Sequence, residues 1–218
     1  MSKRTVQKSL NEDIHVVLAD NPGLMVLYND DTPVELYGTY ILRDDQDSEQ
    51  GRWEVRITIP ASYPYGFPDL FETSNLIPCI PDRHMGEDRK ACLELPILKR
   101  SSAKIGLTLN RFIEDYVKKY FSWQVVYEYG DRDKLVSWGH GLDGIEEYFY
   151  EKLSSRDHAH IFWVLENYTI GQEPERNSPC YCQAGKKYKA CHGRILSGIT
   201  YDLGKNLIKV CKQLFQPK

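Results

Sequence analysis

A compact group of cysteine and histidine residues near the C-terminus has the spacing of a metal site. Three thiols and an imidazole lie within 13 positions: Cys180, Cys182, Cys191 and His192. Four such ligands suit zinc in a closed tetrahedral site, and the small residues at 183–185 permit a tight turn between them. The segment is too short to build a core, so we expect bound zinc to supply folding energy. The alternative is a set of free cysteines beside a surface histidine, which rarely cluster so densely.

A second candidate for chemistry is Cys92, which follows a charged loop at 81–90. A nucleophilic cysteine needs exposure and thiolate character. Arg83, Arg89 and Lys90 lie close in sequence and would raise the thiolate fraction of Cys92. The alternative is a small buried cysteine, which is common among free cysteines. Cys79 stands beside prolines without such basic neighbours, and we expect it to be a core residue.

Short segments rich in β-branched and aromatic residues precede this loop and predict its scaffold. In 52–59, apolar and polar residues alternate with a period of two, which is typical of a half-buried strand. Other strands are expected at 24–28, 34–43 and 70–73. Short turns between consecutive strands predict an antiparallel meander with one buried face, preceded by an amphipathic helix over 5–19.

The remaining chain predicts one rigid connection, one long irregular segment and several helices. Proline-rich 60–68 cannot be a central strand, because proline lacks the ladder donor. The region 74–103 shows little periodicity, and irregular segments of that length are usually functional. Thr108 is a suitable N-cap for a strongly amphipathic helix over 109–121. Further helices are predicted from Asp143, over 155–168 and over 203–215, the last with Cys211 on its apolar face.

The order of these elements resembles the ubiquitin-conjugating enzyme fold. Tyr-Pro-Tyr-Gly-Phe-Pro at 63–68 is similar to that family's Tyr-Pro-Phe-x-x-Pro segment, and Cys92-Leu93 stands where its catalytic Cys-Leu would. The family's His-Pro-Asn, with asparagine eight positions before the cysteine, is replaced by Asp-Arg-His at 82–84. The resemblance covers roughly residues 5–155. It implies an α+β fold with an N-terminal helix, a four-stranded antiparallel meander and C-terminal helices.

The same resemblance assigns catalytic roles to two histidines. His84 takes the place of the family's asparagine, which supports the oxyanion formed when an amine attacks a thioester. An imidazole N–H could do the same, and a pKa near 6.5 also suits a general base. His140, in a His-Gly pair, matches a feature of one bacterial branch and is a further catalytic candidate. The alternatives are an exposed loop histidine at 84 and a tight turn at 140.

The tryptophan-proline segment that follows the cysteine in eukaryotic members is missing here, so the chain resembles a bacterial branch. Members of that branch are found beside cGAS-like nucleotidyltransferases in cyclic-oligonucleotide antiphage (CBASS) operons. The resemblance implies a cytoplasmic transferase in which Cys92 holds a protein C-terminus as a thioester and passes it to a lysine. The nucleotidyltransferase would be the conjugated protein, priming antiviral signalling. The alternatives are a non-catalytic module that binds a ubiquitin-like tail or the nucleotidyltransferase, and a conjugating enzyme of another bacterial ubiquitin-like pathway.

The C-terminal cluster resembles the SEC-C motif, known at the end of the preprotein-translocase ATPase. Lys-Lys-Tyr-Lys at 186–189 and Cys-His-Gly at 191–193 match its pattern. Tyr181 replaces a proline, and Gln-Ala-Gly at 183–185 replaces Gly-Ser-Gly, while the four ligands are intact. The resemblance implies zinc. We therefore expect a catalytic domain over 1–170 and a zinc module over 171–218.

Composition excludes several other classes of protein. The net charge of −3 gives no reason to expect a nucleic-acid partner. No apolar run approaches the roughly 20 residues that cross a bilayer, and the polar start at 1–10 predicts no signal peptide. No phosphate-binding loop ending in Lys-Ser/Thr occurs, so activation by ATP would need a separate activating enzyme or be bypassed.

Overall fold

The computed structural model describes residues 3–28, 33–135, 139 and 141–217. The protein is α+β and divides into two compact units. The first unit comprises Met1–Glu94 and Ser102–Val136, and the second comprises Leu95–Ser101 and Ser137–Lys218. The boundary at residue 170 stays a prediction.

A four-stranded antiparallel sheet forms the centre of the first unit. Its strands are β1 (Leu24–Leu27), β2 (Glu35–Arg43), β3 (Glu49–Thr58) and β4 (Asp69–Glu72). The strand order β1-β2-β3-β4 confirms the predicted meander. Trp53, Val55 and Ile57 of β3 are buried, so the period of two correctly identified the core face. β3 begins earlier than the expected residue 52, which shortens the loop between β2 and β3.

Helices cover the buried face of this sheet. The predicted N-terminal helix is α1 (Lys3–Asp20), and its Leu10, Ile14 and Val17 join the core. The predicted amphipathic helix after Thr108 consists of α3 (Leu109–Phe112), a π-helical segment (Ile113–Val117) and α4 (Lys118–Tyr129). Thr108 is its N-cap, as expected, because the side-chain oxygen accepts a hydrogen bond from the N–H of Arg111 at 3.4 Å. Within the π-helical segment, the N–H of Lys118 donates to the carbonyl of Ile113.

The proline-rich connection ties the sheet to these helices. The buried Tyr63 contacts Asp13 of α1 through its hydroxyl, which also accepts a hydrogen bond from the N–H of Leu109 at 3.2 Å. The N–H of Leu107 donates to the carbonyl of Pro64 at 2.7 Å. This segment therefore has a structural role, and it fixes where the long helix begins.

The second unit is helical and differs in several places from the prediction. Its helices are α2 (Pro96–Ser102, of which 96–101 belong to this unit), α5 (Gly141–Leu153), α6 (His158–Ile170), α7 (His192–Leu203) and α8 (Lys205–Cys211). The expectation that 74–103 is irregular throughout is wrong, because α2 lies within it. α7 was not predicted, and the last predicted helix is α8 followed by a 3₁₀ turn. Cys211 is buried in the core of this unit, as expected.

Two helix starts also differ from the sequence reading. α5 begins at Gly141, so Asp143 lies in its first turn and is not its N-cap. α6 begins after Asp157, whose carboxylate accepts hydrogen bonds from the N–H groups of Ala159 and His160. Among the described residues, no helix combines the length and apolar character needed to cross a membrane.

Candidate active site and metal centre

The segment carrying Cys92 folds back on itself as a small hairpin beside the sheet. Ala91 donates its N–H to the carbonyl of Leu70 at 2.8 Å, which attaches the segment to β4. Gly86 then donates to Lys90 at 2.9 Å, and Met85 pairs with Ala91. This return of the chain places the backbone of Cys92 against residue 84.

Cys92 is exposed because of its position between two inward-facing neighbours. Ala91 is buried in the core, and Leu93 packs against that core. In an extended chain, alternate residues point in opposite directions, so the side chain between them points outward. The exposure of Cys92 is therefore a consequence of the pattern Ala-Cys-Leu. The alternative of a small buried cysteine is wrong for Cys92.

His84 lies directly opposite Cys92 in this hairpin. The N–H of Cys92 donates to the carbonyl of His84 at 2.8 Å. His84 has φ 48° and ψ 41°, the left-handed conformation that non-glycine residues seldom adopt. Such conformations cost about 1–3 kcal/mol and concentrate at functional sites. The half-buried imidazole lies edge-to-face against Trp123, with ring centroids 5.0 Å apart. The structure thus brings the two predicted residues together through their backbones.

Arg83 anchors the hairpin to α4. Its guanidinium donates to Gln124 at 2.7 Å and to Glu128 at 2.8 Å. Its carbonyl accepts hydrogen bonds from the side chains of Gln124 at 2.7 Å and Tyr120 at 3.3 Å. Arg83 is only 7% exposed, so its side chain holds the residue before His84 in one place.

The three basic residues expected to favour the Cys92 thiolate each form an ion pair with a carboxylate. Arg83 pairs with Glu128, Lys90 pairs with Asp69 at 2.7 Å, and Arg89 pairs with the fully buried Glu72. These carboxylates offset the positive charge on which the sequence argument relied.

Cys79 has a basic neighbour that its sequence position did not predict. The half-buried thiol packs against the core of the first unit, but a guanidinium nitrogen of Arg89 lies 3.3 Å from its sulfur. The statement that Cys79 lacks a basic neighbour is therefore wrong. The long loop brings together residues ten positions apart, which sequence proximity did not indicate.

Tyr120 of α4 interacts electrostatically with the thiol of Cys92. Burial raises the pKa of its phenol, and the negative charge of a Cys92 thiolate raises it further. Tyr120 therefore stays protonated at neutral pH and remains a hydrogen-bond donor. Neither Tyr120 nor Trp123 was identified from the sequence. Tyr120 lies on the predicted apolar stripe, which gave it the signal of a core residue only, and Trp123 lies beyond the predicted helix over 109–121.

His140, the third catalytic candidate, lies outside the described residues.

In the second unit, the four candidate metal ligands form one cluster. Their ligand atoms all lie within 4.8 Å of one another. The sulfur of Cys180 is 3.4 Å from Nδ1 of His192, and the sulfurs of Cys182 and Cys191 are 3.5 Å apart. Zinc bonded at about 2.3 Å to sulfur and about 2.0–2.1 Å to nitrogen needs tetrahedral ligand atoms roughly 3.4–3.8 Å apart. The cluster is compatible with zinc.

Two turns and a helix start bring these ligands together. The N–H of Gln183 donates to the carbonyl of Cys180 at 3.1 Å, closing the predicted turn. Gln183 and Gly185 both have positive φ, and the chain then returns so that Pro179 pairs with Lys187. The other two ligands lie at the start of α7, where Cys191 is the N-cap and His192 the first residue.

The pKa shifts of the clustered residues are also compatible with binding of a divalent cation. Burial opposes ionisation of Cys180, but hydrogen bonds from the backbone of Cys182 and His192 lower its pKa overall. Burial and the neighbouring sulfurs raise the pKa of Cys191 to about 11. Three thiolates so close repel one another, and a bound dication removes that repulsion. Burial also lowers the pKa of His192, which keeps the imidazole in the neutral form that metals bind.

Comparison with protein families bears on this second site. Residues 176–194 match the SEC-C motif. No curated protein and no solved structure matches the chain. The SEC-C match contains all four clustered ligands, so the sequence motif and the geometry agree on the same residues.

Proposed function

We propose that this protein is a cysteine-dependent acyl-carrier transferase of the ubiquitin-conjugating type. The observation that carries the proposal is the hairpin in which the exposed Cys92 is hydrogen-bonded to His84. An exposed thiol can take up a large acyl donor such as a protein C-terminus. The imidazole of His84, the residue opposite Cys92 in the hairpin, supplies a group that can donate a hydrogen bond or accept a proton.

The chemistry would have two steps. The Cys92 thiolate attacks an activated carboxyl carbon, a C–S bond forms, and the leaving group departs with its electron pair. A lysine amine then attacks the thioester carbonyl, the C–N bond forms, the C–S bond breaks, and the amine loses a proton. His84 would support the second step, either by donating to the oxyanion or by accepting that proton.

The architecture of the first unit supports this assignment. An N-terminal helix, a four-strand meander, a tyrosine-proline turn, an irregular segment and a cysteine followed by a helix occur in that order. The ubiquitin-conjugating fold has the same order. We further propose that the chain belongs to the bacterial branch associated with CBASS antiphage defence, because the tryptophan-proline segment of eukaryotic members is missing and His140 stands in a His-Gly pair. The conjugated protein would then be a cGAS-like nucleotidyltransferase.

Zinc would have a structural role in the second unit. The residues that would hold it are Cys180, Cys182, Cys191 and His192, which leave no open position for a substrate in a tetrahedral site. Zinc would stabilise the two turns and the start of α7. The acyl transfer would not require it.

The experiment is coexpression with the products of neighbouring genes, followed by non-reducing gels and mass spectrometry. We expect wild type to form an adduct that a thiol reductant or hydroxylamine removes. Cys92→Ser should trap an ester that resists the reductant, and Cys92→Ala should form neither. Cys79→Ser is the matched control, because it changes the other cysteine of the first unit, and it should keep the adduct. Failure of wild type and Cys92→Ser to form an adduct with any neighbour would overturn the proposal.

A further inference from the structure

One face of α4 contacts Arg83 and His84, the two residues before Met85 in the hairpin. Positions with helical spacing contact Arg83 and His84: Tyr120, Trp123, Gln124, Tyr127 and Glu128. The contacts to Arg83 are hydrogen bonds and an ion pair. The contact to His84 is of a different kind, because Trp123 meets the imidazole with an aromatic ring.

The ring of Trp123 is itself supported from behind. Trp123 stacks on Tyr127 with centroids 5.0 Å apart and an interplanar angle of 29°. Two guanidinium groups also contact the ring of Tyr127, with Arg83 at 4.6 Å and Arg132 at 4.2 Å from its centroid. The indole N–H is buried, and no described residue accepts a hydrogen bond from it. Among the described residues, the ring therefore acts at this position by its shape and stacking and not by a hydrogen bond.

The backbone of His84 is fixed, but its side chain has two rotatable bonds. The left-handed conformation and the hydrogen bond from Cys92 determine where the Cα atom lies. They do not determine where the imidazole points. The indole meets the imidazole at an interplanar angle of 80°, an edge-to-face contact that favours one ring orientation.

We propose that Trp123 is a positioning residue that orients the imidazole of His84 for transfer of the acyl group from Cys92 to an amine. The inference rests on the proposed function, because it concerns the second step of that reaction. Trp123 would not touch the reacting atoms. It would act only through His84.

The test uses the full-length, metal-loaded protein and a synthetic probe, so that no unknown donor is needed. A peptide carrying a C-terminal thioester of a small thiol is exchanged onto Cys92, which releases the small thiol. The loaded protein is purified, and its discharge to free lysine is measured in a single turnover. The variants are Trp123→Leu, His84→Gly and the double variant, with Cys92→Ala to identify any loading elsewhere.

We expect Trp123→Leu to load normally and to discharge roughly tenfold more slowly, since small displacements of a catalytic group can cost up to about 100-fold. In the His84→Gly background the same substitution should change the rate by less than about twofold, because two residues acting through one group are not additive. A general loss of structure would slow both backgrounds alike. Equal slowing in both, or no slowing in either, overturns the role of Trp123.

A second variant covers the case in which Trp123→Leu does not fold. Trp123→Phe keeps an aromatic ring, and we expect a smaller slowing with the same dependence on His84. An effect of Trp123→Phe that is the same with and without His84 also overturns the inference. Wild type that fails to load, or loads but transfers to lysine no faster than it hydrolyses, overturns the proposed function instead.

Discussion

The backbone N–H of Cys92 donates to the backbone carbonyl of His84 at 2.8 Å, although eight positions separate the two residues. This hydrogen bond fixes the spacing of the two backbones at Cys92 and His84. Substitution of either side chain therefore leaves the bond in place. The two side chains can be altered one at a time without dismantling the hairpin that presents them.

His84 can be tested with two substitutions that differ in backbone cost. Both His84→Gly and His84→Ala remove the imidazole, and we expect loading of Cys92 to survive while discharge to lysine slows. Glycine adopts φ 48° readily, whereas alanine in this conformation costs about 1 kcal/mol more. Thermal unfolding should therefore rank His84→Ala below His84→Gly. Loss of loading in folded His84→Gly would contradict the assigned role.

Arg83 provides a test of how the hairpin is held. Arg83→Met removes the ion pair with Glu128 and the donor to the side-chain oxygen of Gln124, and we expect a loss of about 1–3 kcal/mol in the free energy of unfolding. Arg111→Met is the control, because its pair with Asp115 is half exposed and should contribute less than about 0.5 kcal/mol. Urea denaturation measures both. Equal effects of the two substitutions would show that Arg83 does not anchor the hairpin.

Removal of metal should affect the second unit. Protein purified without chelator should contain about one equivalent of zinc, and its removal should lower the melting temperature and expose 176–194 to protease. Cys182→Ala should lose the metal, whereas Cys79→Ser should retain it. Elemental analysis and limited proteolysis make these measurements. Substantially less than one equivalent in wild type would count against the four-ligand site.

The affinity for zinc should rise with pH near neutrality. Burial and neighbouring sulfurs raise the pKa of Cys191 to about 11, so this thiol is protonated at neutral pH and must release its proton when zinc binds. Each released proton increases the apparent affinity by about tenfold per pH unit. Competition with a chromogenic chelator between about pH 6.5 and 8 measures the slope. Cys191→His keeps four ligands without that thiol, and its slope should be smaller by about one proton; an unchanged slope would assign the proton elsewhere.

The strands and the cluster of candidate metal ligands were predictable because their signals are local. The alternation around Val55 records which face of β3 is buried, and the four ligands are close together in the chain. α7 carried a usable signal in the helical spacing of Leu196, Ile199 and Leu203, all buried. The predicted helix over 203–215 includes only the last of these three residues.

The geometry around Cys92 could not be predicted in the same way. Arg83 is 41 positions from Gln124 and 45 from Glu128, and no local pattern marks such partners. The charge of Arg83 suggested an effect on the thiol of Cys92, whereas in the structure its guanidinium forms an ion pair with Glu128. The hairpin at 84–92 is formed by main-chain hydrogen bonds, which leave little trace in side-chain type.

The π-helical segment Ile113–Val117 links helix length to the geometry at the thiol. Each residue of an α-helix turns the chain by about 100°. Deletion of one residue here would leave Leu109 and Phe112 in the core but rotate Tyr120 and Gln124 away from Arg83 by roughly that angle. The single extra residue thus sets the rotation of α4 about its axis. With it, the residues before the π-helical segment face the core while those after it also reach Arg83. Relatives that vary in length at this point should also vary in how they hold the segment around residue 84.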